Sequence, residues 1–295
     1  MGLRIKTNVA SLQAQRGVAT ATNSLRESMA QLSSGYRINK AADDAAGLSI
    51  STNLTGRVRS LEQASRNAQD GISLVQVAES GMNEISNILT RLRELAVQSS
   101  SDTIGNVERS YANREYTQLV DELDRIANTT EFNGVKLLKG SDANVGDNLL
   151  TIHVGGGDGK AANTDTIRID INDMKLIPEE DFGLGRGAEI GPLSVSDGFD
   201  RQTASDKLSV IDGAMQRLAT TRANMGAQQN RLISAVTSLS SQIENYKAAN
   251  SRIRDVDFAS ASASFTQAKI LQQAGVSVLA QANSEPEAAL ALLRG

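Results

Sequence analysis

The chain has 295 residues and a net charge of -4, and 40% of its residues are hydrophobic although only 3% are aromatic and neither Trp nor Cys occurs. The absence of Cys excludes disulfides, thiolate metal sites and a cysteine nucleophile, and the intermixed charges form no positive stripe of the kind that binds nucleic acid. Because so few large rings cannot fill a thick globular core, the aliphatic and Ala-rich composition favours helices packed in pairs or small bundles.

The N-terminal segment does not have the apolar run of a secretory signal peptide, because residues 1–8 alternate polar and apolar side chains. No cleaved signal is therefore expected. An interrupted helical stripe follows, and it consists of Ile5, Val9, Leu12, Leu25, Met29 and Leu32. A helix with so weak a stripe is marginal in water by itself, so we expect it to need a partner helix.

Two adjacent carboxylates, Asp43 and Asp44, precede an Ala-rich segment. They could in principle act in catalysis, but a carboxylate at the start of a helix also accepts hydrogen bonds from the free backbone N–H groups there. Helix capping is the simpler interpretation. No arrangement of nucleophile, base and oxyanion donors emerges along the chain, so we predict neither an enzyme nor a bound cofactor.

Two stronger helical stripes follow in the N-terminal half. In the first stripe, residues recur alternately three and four positions apart, at Gly81, Ile85, Ile88, Leu92 and Leu95. Met82, Leu89 and Ala96 lie beside this series and widen the stripe. The second consists of Tyr116, Leu119, Leu123 and Ile126, with charged residues largely on the opposite face. Wide stripes of this kind contact more than one neighbour, which predicts a bundle of three or four long helices.

The middle of the chain differs in composition, since 13 of the 24 glycines lie between Gly134 and Gly213. Asn133-Gly134 predicts a turn, and the segments 149–154 and 166–171 have the character of strands. The glycine-rich stretch 155–159 suits the loop of a hairpin between them, because Gly accepts positive φ without steric cost. We expect a small β-hairpin beside the helices.

Three features of this middle region resemble binding sites, but each has a simpler explanation. The glycine loop ending in Lys160 lacks the following helix and the Gly-Lys-Ser/Thr ending of a phosphate-binding loop. His153 is the only histidine, so a structural or surface role is favoured over metal binding or base catalysis. Asp170, Asn172 and Asp173 lack the central Gly and closing Glu of a calcium loop, so a solvated strand end is the better interpretation.

The C-terminal half contains the clearest periodicity. Counting alternately three and four residues gives Leu208, Ile211, Met215, Leu218, Arg222, Met225, Gln229, Leu232, Val236, Leu239, Ile243, Tyr246, Asn250 and Ile253. Eleven of these fourteen residues are apolar or Tyr and keep one seven-residue phase, as in a coiled-coil seam. Arg222, Gln229 and Asn250 interrupt the seam either to fix its register or to contact a neighbouring subunit.

Residues 258–284 near the C-terminus contain a single charged residue, Lys269. This segment is nevertheless too rich in Ser, Thr, Gln and Asn to span a membrane. Its weak helical stripe consists of Phe258, Ala261, Phe265, Ala268, Leu279 and Ala282. Since neither chain end can bury itself alone, we infer that both are unfolded in the free monomer. They would gain order by packing against each other and against further copies.

Several long motifs then identify a family resemblance. They are Gln31-Leu-Ser-Ser-Gly-Tyr-Arg-Ile-Asn39, Ala42-Asp-Asp-Ala-Ala-Gly-Leu48, Arg93-Glu-Leu-Ala-Val-Gln98 and Phe132-Asn-Gly-Val-Lys-Leu-Leu138 in the N-terminal half. The C-terminal half adds Ser251-Arg-Ile-Arg-Asp-Val-Asp-Phe-Ala259 and Ile270-Leu-Gln-Gln-Ala-Gly-Val-Ser-Val-Leu-Ala-Gln-Ala-Asn283. In this order they resemble bacterial flagellin from Ile5 to about Gly140 and from about Ser205 to Arg294.

The resemblance implies a mainly α-helical structural subunit of the flagellar filament, which supports swimming motility and is extracellular. The implied division is 1–43 and 256–295 as paired inner terminal helices, 44–140 and 201–255 as the long-helix bundle, and 141–200 as a hairpin with a short remnant of the variable region. It also implies export through the flagellar type III channel. Expected partners are further copies of the chain, an export chaperone, the filament cap and the hook-filament junction proteins, with no nucleic acid and no membrane insertion.

The resemblance further implies a surface for Toll-like receptor 5, because Arg91, Leu95 and Glu115 match positions by which many flagellins are bound. The alternative is that Leu95 is a seam residue and that Arg91 and Glu115 are a surface pair. Two residues depart from the usual pattern. Ala261 stands where many relatives have an acidic residue, and Gly295 extends past the Arg294 that usually ends the chain.

Three rival functions remain open on the sequence alone. A hook-filament junction protein shares both terminal regions, but two of the motifs, 93–98 and 270–283, are closer to flagellin. A flagellin scaffold carrying a protease insert needs a His-Glu-x-x-His zinc motif, which a chain with one histidine does not have. A secreted helical effector would differ by remaining monomeric.

Overall fold

A computed structural model of the chain describes residues 8–140, 148–157, 165–176 and 201–294, with side chains from residue 207 to 284 in the last range. It confirms the predicted mainly helical fold with a small β-hairpin. The elements in chain order are α1 (Val9–Ser34), α2 (Ala45–Ser99), α3 (Asn106–Thr129), β1 (Glu131–Phe132), β2 (Val135–Lys136), β3 (Leu149–His153), β4 (Thr166–Asp170), α4 (Arg201–Arg254) and α5 (Phe258–Arg294), with a 3-10 turn at Asn172–Met174.

The chain forms two compact units. The terminal unit consists of Met1–Val58 and Glu244–Gly295, and the bundle unit consists of Arg59–Ile243. The long helices α2 and α4 each contribute residues to both units.

The bundle unit has a continuous hydrophobic core between α2, α3, α4 and the β-hairpin. On α2 the predicted stripe is buried, with Met82, Ile85, Leu89 and Leu92 fully inaccessible to solvent. On α4 every seventh residue is buried, namely Ile211, Leu218, Met225, Leu232 and Leu239. The other seam residues of α4 in this unit are half-buried. A repeat of seven keeps one face of a long helix turned toward its partners, which explains the persistence of the phase.

The predicted strands of the hairpin are confirmed, and each ends one residue earlier than predicted. β3 and β4 are antiparallel, with Leu149 opposite Asp170 and His153 opposite Thr166. The hairpin packs closely on α2 at Gly71, where an added Cβ would lie 2.4 Å from Cδ1 of Ile152 and 3.4 Å from Cδ1 of Leu232. Glycine at this position therefore admits the strand residue between the two helices. The predicted turn at 133–134 joins β1 to β2, and Asn133 and Gly134 both have positive φ, as a type I′ hairpin turn requires.

A buried arginine holds the connection between α2 and α3. Arg109 is 9% exposed, and its guanidinium donates to the carbonyl oxygens of Ser99 and Ser101 at 3.0 and 2.9 Å. The last carbonyl groups of a helix have no partner within the helix, and a cation also interacts favourably with that end of the helix dipole. Arg109 thus satisfies the C-terminal end of α2. Sequence patterns do not identify this role, because a single Arg inside a helix has no distinguishing spacing.

A second buried cation lies at the start of α4. Lys207 is 7% exposed, and its Nζ lies 4.8 Å from the centre of the Tyr116 ring. Burial lowers the pKa of the Lys207 ammonium from its usual value, because the charged form has lost its hydration. The ring face offsets part of this loss through a cation–π interaction.

We expect Lys207→Met to raise the free energy of unfolding by about 1 kcal/mol at pH 7, since an apolar side chain of similar length avoids the buried charge and keeps a sulfur contact with the ring. The native lysine binds its proton less tightly than the unfolded one, so its cost is present at neutral pH and disappears as the pH rises toward the unfolded pKa of about 10.5. Urea unfolding at pH 7 and pH 10 should show the advantage of Met shrinking. An advantage that grows with pH would contradict this explanation.

Candidate assembly surface

Helices α1 and α5 of the terminal unit pack side by side in opposite directions. Three side-chain hydrogen bonds mark their alignment: Asn8 Nδ2 donates to the Ala282 carbonyl oxygen at 2.7 Å, Ser11 Oγ donates to Asn283 Oδ1 at 2.8 Å, and Gln272 Nε2 donates to Thr22 Oγ1 at 3.3 Å. Two segments at opposite ends of the sequence therefore form one antiparallel pair.

The residues buried between these two helices are small. They are Ser11, Ala21 and Ser28 on α1, and Ala261, Ala268 and Ala282 on α5. An added Cβ on Gly275 would lie 2.8 Å from Cγ2 of Val18, so the two backbones come close there. Of the residues predicted to act in terminal assembly, Leu25, Leu32, Phe265 and Leu279 are half-buried. Small contact residues bury little apolar area, so this pairing contributes less stability than a leucine-rich seam would.

Large apolar side chains of the pair point away from the contact. Met29 of α1 is 60% exposed and Phe258 of α5 is 68% exposed, although both belong to the predicted stripes. The other exposed large side chains are Val9 and Leu12 on α1, and Ile270, Leu271, Val276 and Val278 on α5. A helix that is apolar on several faces is normally buried on several faces. Among the described residues, α1 covers one side of α5, and the faces that these residues leave exposed form a candidate surface for contact with other molecules.

A shallow, open depression of about 680 Å³ lies on the exposed side of α5. Its lining alternates large and small side chains and includes Phe258, Ala259, Ala263, Thr266, Ile270 and Leu271. Small residues at helical spacing allow another helix to approach closely, while the flanking large residues supply apolar area. This side of α5 thus has the chemistry to pack against a further helix.

Two aspartates accept backbone hydrogen bonds in the segment between α1 and α2, and each has a different role. Asp44 Oδ1 accepts the N–H of Gly47 at 2.8 Å, so it caps α2 as predicted. Asp43 Oδ2 instead accepts the N–H groups of Lys40 and Asn39, both at 2.9 Å. These two backbone hydrogen bonds lower the pKa of the Asp43 carboxyl group, because they stabilise its charged form. Both carboxylates are thus used in local structure.

Two of the three polar residues of the α4 seam contact polar side chains elsewhere in the chain. Arg222 forms an ion pair with Glu79 at 3.8 Å, and Gln229 is half-buried. Asn250 Nδ2 donates to Thr55 Oγ1 at 3.3 Å. Near the same end, Arg57 lies 5.5 Å from the centre of the Tyr246 ring. The Arg222 and Asn250 contacts are compatible with the register role, but Asn250 Oδ1 is buried without a hydrogen-bond partner among the described residues, so both interpretations of the seam interruptions stay predictions.

The three residues implied as a receptor surface separate into two environments. Arg91 is exposed and forms ion pairs with Glu94 at 2.9 Å and Glu115 at 2.8 Å. Leu95 is only 3% exposed and belongs to the core of the bundle unit. A partner protein approaching this side meets the charged pair, whereas the Leu95 side chain contributes to packing.

The weak binding-site candidates have local structural roles where they are described. His153 Nδ1 lies 2.9 Å from the Asp165 carbonyl oxygen at the end of the hairpin, and Asp170 Oδ1 accepts the N–H of Asn172 at the strand end. Lys160 and Gly295 lie outside the described residues, and Ala261 is buried against α1. Within the described ranges, no cluster of three His, Cys, Asp or Glu residues is placed to hold a metal ion. No described helix has both the length and the apolarity needed to cross a bilayer.

Two family models match the chain. Residues 5–143 match the bacterial flagellin N-terminal helical region, and residues 208–293 match the bacterial flagellin C-terminal helical region. The first match contains α1, α2, α3 and the strands β1 and β2, and the second contains most of α4 and of α5.

Curated relatives align over almost the whole length. The chain is 41% identical to the flagellin of Halalkalibacterium halodurans over 292 residues, which is 98% of this chain and 99% of that one. It is 40% identical to the flagellin of Bacillus subtilis over 314 residues, covering 99% and 100% of the two chains. Among solved structures, a putative flagellar hook-associated protein from Vibrio parahaemolyticus matches with a TM-score of 0.59 at 15% identity, over 72% of this chain and 100% of that one. That last similarity concerns the fold alone.

Proposed function

The chain belongs to the bacterial flagellin family, and on that premise we propose that the exposed apolar faces of α1 and α5 are the surfaces through which it polymerises. It is a structural subunit of the flagellar filament, the extracellular part of the flagellum, and it is not an enzyme. The observation that supports our proposal is that α5 is apolar on several faces, of which the part of the chain that the structure describes covers one. Copies of the chain would cover the others.

We propose that contacts between copies are heterologous, since such contacts do not close and therefore extend into a helical polymer. In this arrangement segments 1–43 and 256–295 form the inner layer, 44–140 and 201–255 form the surrounding bundle, and 141–200 adds the hairpin and loop region. The α4 seam from Leu208 to Tyr246 would hold the bundle layer together. The terminal helices would be unfolded in the free monomer, because their small contact residues give little stability until neighbours are present.

Seeded growth tests this proposal directly. Purified monomer is mixed with short filament fragments and examined by electron microscopy. Long tubes of uniform width are the expected result, and amide exchange should show α1 and α5 becoming protected only in the tubes. Persistent monomers would favour a secreted helical effector, and termini protected from the start would contradict the ordering on assembly.

We also propose the transient partners that flagellin family membership suggests, namely an export chaperone, the filament cap and the hook-filament junction proteins, with export through the flagellar type III channel and no cleaved signal. The mass of subunits taken from purified filaments tests the last point, because a cleaved leader would lower it by the mass of the removed residues. Neither alternative function, the hook-filament junction protein nor the effector, is supported by a specific observation on this chain.

A receptor contact at Arg91 and Glu115 is a further proposal, supported by their exposure and their ion pair. We expect Arg91→Glu to weaken activation of Toll-like receptor 5 by the monomer by about tenfold, as for a charged contact residue at an interface. The double variant Arg91→Glu with Glu115→Arg restores an ion pair within the chain. If it restores activation too, the pair acts only through structure, whereas continued weak activation indicates direct contact with the receptor.

A further inference from the structure

The two connectors of the terminal unit meet beside each other and form a small hydrogen-bonded element, which we name the clasp. It consists of Gly35, Tyr36 and Arg37 after α1, and residues 253–256 at the end of α4. Tyr36 pairs with Asp255 as an isolated antiparallel bridge. The N–H of Arg37 donates to the Arg254 carbonyl oxygen at 2.7 Å, and the N–H of Val256 donates to the Gly35 carbonyl oxygen at 3.0 Å. Residues more than 200 positions apart in sequence are thus joined at one point.

Two arginines strengthen the clasp by reaching across it in opposite directions. The Arg37 guanidinium donates through Nη2 to the Ile253 carbonyl oxygen at 2.7 Å, which satisfies a free carbonyl at the end of α4. The Arg254 guanidinium carbon lies 4.3 Å from the centre of the Tyr36 ring. Gly35 turns the chain out of α1 with a φ of 73°, a conformation that favours glycine. The exit of α1 and the end of α4 are therefore fixed relative to each other.

The α1–α5 contact itself specifies its register poorly. On α5 the residues facing α1 at successive seven-residue steps are Ala261, Ala268, Gly275 and Ala282, all of them small. On α1 the buried Ala21 and Ser28 are also seven residues apart. A slip of one seven-residue repeat, a shift of about 10 Å along the helix, would place small residues against small residues again. Register therefore depends on contacts other than this repeat, namely the hydrogen bonds of Asn8, Ser11 and Thr22 along the pair and the clasp at its end.

We infer that Tyr36 and Arg37 are positioning residues that set the register of the α1–α5 pair through the clasp. The clasp lies at the end where both helices join residues already packed in the terminal unit, as shown by the Thr55–Asn250 hydrogen bond. Thr22 lies 14 residues from Tyr36, and Gln272 lies 17 residues from Asp255, so a fixed clasp limits which residues of the two helices can meet. The helices pair outward from the clasp. This inference deepens the proposed function, because it concerns the same two helices that we propose to polymerise.

Cysteine reporters can test the register, because the chain contains no Cys of its own. The in-register reporter carries Thr22→Cys and Gln272→Cys, whose side chains meet in the structure. The slipped reporters pair Thr22→Cys with Phe265→Cys or Leu279→Cys, one seven-residue repeat away on either side. Each reporter is grown into seeded filaments with an excess of the Cys-free parent chain and treated with a short thiol-specific crosslinker, so that the crosslinks form within one chain.

Each reporter is measured in the parent chain, in a clasp variant and in a matched control. The clasp variant Tyr36→Ala with Arg37→Ala removes two side-chain contacts at the clasp. The control Asn8→Ala with Ser11→Ala removes two contacts at the far end of the same helix pair. We expect the ratio of in-register to slipped crosslinks to fall about tenfold in the clasp variant and to change less than about twofold in the control.

The outcomes are distinguishable. A clasp variant with the parent ratio, or a control that changes the ratio as much, would overturn the inference. A loss of all crosslinks in equal proportion would also overturn it, since that result means lost stability and not lost register. Seeded growth of the parent chain is measured first, so a parent chain that does not polymerise contradicts the proposed function, whereas a changed crosslink ratio in filaments that do grow concerns the clasp alone.

Discussion

Replacing Ile270 and Leu271 by Glu is expected to abolish filament growth while leaving the unfolding of the monomer unchanged. The two side chains are 59% and 54% exposed on α5, so charges at these positions are solvated in the single chain. In a polymer that covers this face, each carboxylate would lose its hydration without a prepared partner, at a cost of several kcal/mol. The concentration needed for growth should rise by more than about 100-fold, since every 1.4 kcal/mol corresponds to a factor of ten.

The control for this experiment keeps the positions and changes only the chemistry. Ile270→Met with Leu271→Met preserves apolar side chains of similar size, and we expect it to grow filaments near the parent concentration. Sedimentation of seeded reactions over a range of protein concentrations measures both variants, and circular dichroism checks the monomers. If the glutamate variant polymerises as readily as the methionine variant, this face of α5 is not an assembly surface.

Periodicity predicted the long helices well because their core contacts repeat. The buried residues Ile211, Leu218 and Met225 recur every seven positions, so the α4 stripe can be recognised from residue types alone. The hairpin was predictable for a related reason, since its two apolar strand segments are separated by a glycine-rich stretch. In both cases the information is local and is carried by the type of residue.

For the terminal helices, periodicity predicted the helices but not the faces through which they pack. The predicted α5 stripe included Phe258 together with Ala261 and Phe265, but the structure turns Phe258 to solvent at 68% exposure and packs Ala261 against α1. In a segment that is rich in Ala and almost without charge, several faces have similar hydrophobicity. Periodicity alone therefore does not identify which face meets α1 and which remains for other copies.

The contacts that the sequence did not reveal are polar and join a helix to the end of another helix. The Arg37 guanidinium and the Ile253 carbonyl are separated by 216 positions, and Arg109 reaches carbonyl groups beyond its own helix. Such bonds depend on where helices end and on which ends are neighbours. Neither fact follows from local spacing, because an arginine that caps a helix and an arginine in solvent occupy similar sequence patterns.

The seam of α4 is most sharply tested at Leu232, which is fully buried and lies beside Gly71 and the hairpin. We expect Leu232→Ala to lower the free energy of unfolding of the bundle unit by about 2–5 kcal/mol, because the substitution removes apolar contact and leaves a cavity among helices that cannot fully close around it. For a unit of this size the thermal midpoint should fall by about 5–15 °C. Urea and thermal unfolding followed by circular dichroism measure both quantities.

The neighbouring residue supplies the matched control. Ile233 lies on the same helix and is 47% exposed, so Ile233→Ala removes a side chain of equal size from the surface. We expect its effect on unfolding to stay within about 0.5 kcal/mol, since little contact is lost and Ala favours the helix. Equal effects at the two positions would mean that the seven-residue repeat does not mark the seam. A large difference between these adjacent residues would show that the buried face of α4 stabilises the bundle unit. The exposed face of that helix would then be available for contacts between subunits.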